Sequence, residues 1–251
     1  MGGVGRQPRY LTDHVNAAQA FLELYQATGD AESLDRAVRV TQCAQRLFGA
    51  ADGGFYEVPE ESSASQYAQR QEKPVLENSA LAEVLVRLSV LTGDATYQET
   101  ARDTVALFRG VAPGSSYLGP PGFRRMEEDE EQLFLPAGSA WGRAWDMVEQ
   151  GAVHMVLVGS TGNQQTRRLL RAALRIYAPH KVVQLLDPHE EGERISALGF
   201  PVKSGPALYV CMGGMCLAPI TTPEEVKQVA SGRPWADRVQ FAEYQVPAGE
   251  H

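Results

Sequence analysis

The sequence predicts a mainly α chain that turns α/β in its last third. The parts are a partial (α/α) hairpin toroid over residues 1–150, a small three-stranded, largely parallel α/β module over 151–232, and a tail over 233–251. Three observations predict this. Apolar residues recur at helical spacing from about Thr12 to Gly110. A stretch of about 64 residues then copies itself. Beyond Gly151 the period switches to alternating strand and helix.

The first helix carries Val15, Ala18, Leu22 and Tyr25 on one stripe, and the second carries Leu34, Val38, Thr41, Ala44 and Phe48. Leu81, Leu85, Leu88 and Leu91 mark a third, and Tyr97, Ala101, Val105 and Phe108 a fourth. Gly29 and Gly93 suit the left-handed position after a helix, and Asp30 and Asp94 can cap the next by accepting its free N–H groups. Thr28-Gly29-Asp30-Ala31 recurs as Thr92-Gly93-Asp94-Ala95, which sets Leu24 against Leu88, Ala37 against Ala101 and Asp13 against Glu77. Each hairpin leaves an apolar face that only a neighbour can cover, so the architectures to weigh are a solenoid and a closed toroid. The glycine-rich loop Asp52-Gly53-Gly54-Phe55-Tyr56 follows the second helix. Residues 111–138, with their prolines, glycines and the acidic run Glu127 to Glu131, read as a loop. A fifth helix follows from Ser139 to Gln150, with Trp141, Trp145 and Val148 as its apolar contacts.

In the last third, His154–Val158 reads as a buried strand, Gln164–Tyr177 as an amphipathic helix, and Lys181–Leu186 as a second strand. A short helix leads to a third strand, Ala207–Cys211. A closing helix, Thr222–Ala230, opens with Pro223, Glu224 and Glu225, which suit the first turn and its dipole.

Composition bounds the function. The chain has 251 residues, 43% hydrophobic and 22% charged, so it can bury a core. Its net charge of -8 argues against nucleic acid as the main partner, and no basic stripe was found to compensate. Apolar stretches such as His154–Val158 are too short to span a membrane. The first residues lack a secretory signal, and three cysteines make no disulfide framework, so a cytoplasmic protein is expected, with no metal and no cofactor.

Several segments together resemble the C-terminal part of the thioredoxin-domain-containing, spermatogenesis-associated (YyaL-type) family. They are Tyr10-Leu11-Thr12-Asp13-His14 leading into Leu22 to Asp30, then Gly53-Gly54-Phe55-Tyr56, and Lys73-Pro74 through Glu77-Asn78-Ser79. Val156-Leu157-Val158-Gly159 and Tyr209-Val210-Cys211 with Cys216 and Pro219 complete the set, so the resemblance runs from about residue 10 to residue 230. It implies a six-hairpin, glycosidase-like toroid preceded by a thioredoxin-like domain. This sequence has no thioredoxin-like stretch and no Cys-x-x-Cys, and room for only the later hairpins, so the expectation is a fragment or one piece of a split protein. Where the family has Pro-Ser-x-Asn-Ser, this chain has Pro74-Val75-Leu76-Glu77-Asn78-Ser79. The implied partners are a sugar and a thioredoxin-like domain on another segment or chain; an incomplete ring would also expose apolar hairpin edges, so self-association or pairing with such an N-terminal partner is expected.

The candidate catalytic pair is Asp13 and Glu77, at matching helix starts. Two carboxyls about 5 to 10 Å apart can act as acid and base on a glycosidic bond or in epimerisation. The same residues serve equally as acids favoured by the helix dipole. His14, Asn16, Tyr56, Asn78 and Ser79 are candidates to bond sugar hydroxyls and Phe55 or Trp141 to stack on a ring; for the aromatic residues core packing is the competing role. Cys211 and Cys216 are a redox pair, a structural pair or, least fittingly, metal ligands. The turn Gly159 to Asn163 could bind an anion at a helix start or simply connect strand to helix.

Overall fold

The computed structural model describes residues 9–59, 72–109, 117–118, 131–178, 180–213 and 215–231. It divides into two compact units, Met1–Leu22 with Glu32–Gln150, and Glu23–Ala31 with Gly151–His251.

The first unit is helical. Helices α1 (Leu11–Thr28) and α2 (Ala31–Phe48) form one hairpin, and α3 (Val75–Thr92) and α4 (Ala95–Leu107) the next. The repeat legible in the sequence is repeated in its bonds. Thr28 Oγ1 donates to Leu24 O and accepts from Asp30 N, just as Thr92 Oγ1 donates to Leu88 O and accepts from Asp94 N. Gly29 and Gly93 sit at φ 76° and 79°, a region closed to most side chains, and their N–H groups return to Tyr25 O and Ser89 O. Asp94 caps α4 by accepting from Thr96 N at 2.9 Å.

The predicted stripes are buried almost throughout; Val38 alone is only half-buried. Helix α3 is apolar nearly all round and is covered by both α4 and α5 (Glu131–Gln150). Helix α5 starts earlier than the sequence suggested, since residues 131–138 are helical rather than loop. Its contact face also differs. Ala137, Ala140, Ala144 and Met147 are buried with Val148, while Trp141 and Trp145 are half-buried. Small residues let the helices approach closely, and the indoles go to the margin, where Trp141 Nε1 donates to Val105 O at 3.0 Å and Arg109 lies over Trp145. A two-residue strand, β1 (Lys73–Pro74), pairs antiparallel with β2 (Tyr117–Leu118). The rest of the expected 111–130 loop, the acids Glu127 to Glu130 and the tail over 233–251 lie outside the described residues.

The second unit holds a four-stranded sheet, β3 (Val153–Val158), β4 (Lys181–Leu186), β5 (Ala207–Met212) and β6 (Met215–Cys216), in the order β4-β3-β5-β6. The expectation of three largely parallel strands is corrected: only β3 and β4 run parallel, through α6 (Gln164–Arg175), while β5 and β6 are antiparallel to their neighbours. The connection 187–206 holds only the short helix α7 (Gly192–Ala197), which packs Ile195 against the Val156 and Val158 face. Val158 pairs with both Leu186, the last residue of β4, and Ala207, the first of β5, so the chain re-enters the sheet at the end where β4 left it and runs back antiparallel. Val153, Met155 and Leu157 face α6 and α8 (Pro223–Ser231), and Val156 and Val158 face the Ile195 side. The outer edge of β4 is blunted by the end of α1, where Gln26 Oε1 accepts from Val183 N at 2.8 Å.

Candidate functional site

Both predicted carboxylates occupy the third position of their helix, Asp13 in α1 and Glu77 in α3. One short segment ties these two helix starts together. Leu11 N donates to Glu57 O at 2.9 Å, and Glu57 N donates to Glu72 O. Phe55 N donates to Asn78 Oδ1 at 2.8 Å, and Asn78 Nδ2 donates to Phe55 O and to Pro74 O. The loop after α2 is thus fastened to the first turns of both α1 and α3.

The predicted binding residues separate into buried and accessible. Phe55, Asn78 and Ser79 are buried, with the Ser79 hydroxyl given to Val75 O, so they do not present groups to a ligand. His14 Nδ1 donates to Tyr10 O at 3.0 Å, and its ring meets Phe48 edge-on at 5.0 Å, inside the first hairpin. Asn16 is exposed on α1, two residues beyond His14. Tyr56 is half-buried, with the Lys73 ammonium 5.3 Å from its ring centre. Asp13 is exposed and Glu77 half-buried.

Sequence reasoning missed Glu57, Glu72 and Lys73. The Glu57 carboxyl is held above the ordinary range, first by burial and then by the charges of Glu72 and Glu77. Lys73 is buried and donates to Asp52 and to Gly53 O, and this bond holds the Asp52 carboxyl below its usual range. The legible signal was the Gly53-Gly54 turn. Gly54 sits at φ 66°, where a Cβ would lie 2.7 Å from Leu107 and 3.1 Å from Asn78 Oδ1, so the loop's course depends on that glycine. Nothing in the residue type of Glu57 marked it. Among the described residues no three His, Cys, Asp or Glu side chains are grouped to hold a metal ion.

In the second unit Cys211 and Cys216 face each other across the β5–β6 hairpin and are joined in a disulfide. Bonded to each other, the two sulfurs carry no thiolate in this structure. The turn after β3 already holds a carboxylate of the chain itself. Asp187 accepts from Thr161 N at 2.7 Å, from Thr161 Oγ1 and from His189 N. Burial raises its pKa, but these bonds outweigh burial and leave it below the ordinary value.

No family model matches this chain. It is 24% identical over 231 residues to Spermatogenesis-associated protein 20 of Rattus norvegicus and 23% identical to Spermatogenesis-associated protein 20 of Homo sapiens. Each match covers 88% of this chain and 27% of the relative, so the chain spans about a quarter of the length of these curated relatives. The relationship is a distant one.

Proposed function

We propose that the first unit presents an acid–base rim to a carbohydrate, as the later hairpins of a six-hairpin, glycosidase-like toroid. Glu57 is the proton donor in this reading, Glu77 its basic partner, and Asp13 a further carboxylate on the same rim. One observation carries the proposal: a carboxyl kept partly desolvated next to other carboxyls is the arrangement by which two acids are driven into different protonation states. The half-buried Tyr56 beside it offers a ring for stacking.

The test is a titration of the chain with mono- and oligosaccharides, followed by NMR, and with an activity assay on any ligand found. Glu57→Gln is expected to lower turnover by about a hundredfold or more, the usual yield of a positioned general acid, and Asp13→Asn to weaken binding. Sugars that shift no resonance of the first unit, or a Glu57→Gln, Glu77→Gln double variant that retains full turnover, would remove the reading.

The Cys211–Cys216 disulfide favours a second one, a redox-linked module serving a thioredoxin-like domain. Here Cys216→Ser abolishes function while Glu57→Gln does not. Thiol counting across a graded glutathione buffer should then show reversible two-electron reduction within the poise of the cell; a pair still oxidised at the reducing limit excludes it.

A further inference from the structure

No basic stripe stands out along the sequence, yet the fold of the second unit assembles one. Arg168, Arg171 and Arg175 fall on one face of α6, and with Lys227 of α8 they line a groove of about 730 Å³ floored by Ala172, Ile176 and Pro223. Tyr177, 93% exposed, stands at its end. In a chain with 31 acidic and 23 basic residues, four cations converge here from two helices, and none has a carboxylate partner among the described residues.

Helix-terminal cations commonly serve only to balance the dipole. That role is already filled. The Lys181 ammonium donates to Ala173 O, Leu174 O and Ile176 O at 3.2, 2.8 and 2.7 Å, satisfying the C-terminal carbonyls of α6. The three arginines are therefore not required to finish the helix.

We propose that this groove docks an acidic protein segment carrying an apolar side chain beside its carboxylates. The three arginine positions span about 10.5 Å along the helix, a length that three to four residues of an extended peptide cover at about 3.3 Å each. Guanidinium forks take carboxylates in bidentate pairs, while the Ala172, Ile176 and Pro223 floor takes an apolar side chain. A phosphodiester strand would satisfy the cations but not the floor, and would continue past the groove against a chain of net charge -8.

The probe is a fluorescent peptide with the sequence of residues 126–135, which joins five acids to Leu-Phe-Leu. It is titrated by anisotropy into the intact chain, and into one whose Glu127 to Glu131 are replaced by serine so that its own acids do not compete. Saturable binding is expected at low salt, weakening as screening rises. Arg171→Glu with Arg175→Glu should reduce affinity about tenfold or more, and the milder Arg171→Gln with Arg175→Gln less, with circular dichroism unchanged; Arg102→Glu, on α4, should change it less than about twofold. No saturable binding to either chain, equal losses from Arg102→Glu, or tighter binding of a single-stranded oligonucleotide that depends on the same arginines overturns the proposal.

Discussion

Asn78→Ala is expected to destabilise the first unit by about 3 to 5 kcal/mol, among the largest effects of any single change in the chain. The side chain is fully buried and spends its carbonyl and both amide hydrogens on Phe55 N, Phe55 O and Pro74 O. Truncation orphans Phe55 N and Phe55 O, which water cannot reach, while Pro74 O, the N-cap carbonyl of α3, keeps the first backbone bond of the helix. Each orphan costs roughly 1 to 3 kcal/mol, with some relief where the loop can relax. The loop then loses its tie to α3, and with it the placement of Glu57 near Glu77. Asn78→Leu separates the causes, because it restores the volume but not the bonds. Thermal unfolding followed by circular dichroism should show both variants melting about 10 °C or more below the parent. If Asn78→Leu recovers the parental midpoint, packing and not hydrogen bonding holds the loop.

The position also shows how far the repeat reaches. In the first hairpin its counterpart is His14, and both side chains donate to the carbonyl four residues earlier, Tyr10 O and Pro74 O. The backbone device is common to the two copies. The outcome differs because the amide has a second hydrogen and an acceptor left over for Phe55, whereas the imidazole turns its ring onto Phe48. Asn78, a candidate to bond a sugar hydroxyl, instead spends its amide on Phe55 and Pro74.

What was legible followed period and turn chemistry. The four hairpin helices, their glycine ends and the strands and helices around Val156, Leu169 and Val183 obey rules that act within a few residues. What was not legible depends on distant parts of the chain. The direction of β5 is set within the connection 187–206, which brings Ala207 beside the end of β4, and β6 pairs back on β5 through a segment too short to carry a period. The small-residue face of α5 lost to its tryptophans because size was taken for burial. Glu57 acquires its environment from Glu72 and Glu77, and the arginines of α6 form a groove only once α8 lies beside them.

The sheet of the second unit makes the other large prediction, which is a dependence on pH. His154 points from β3 to the face opposite α6, with its Nε2 2.9 Å from Gln184 Oε1 on β4; the amide oxygen can only accept, so the ring nitrogen donates. Burial first, with a contribution from the charge of Arg194, outweighs the Gln184 bond and lowers the His154 pKa to about 4 from the usual 6.5. Between those values the unfolded chain binds a proton that the folded chain refuses. The stabilisation is thus fully present above pH 6.5 and is lost as the pH falls toward 4. A shift of this size corresponds to up to about 3 kcal/mol. Urea unfolding of the intact chain, followed through amides of β3 and β4, should show that unit weakening across this window. His154→Gln keeps a hydrogen-bonding side chain without the titration, so its stability should stay flatter between pH 7 and 4. Parallel slopes for the two proteins would assign the acid sensitivity to other groups and leave His154 without this role.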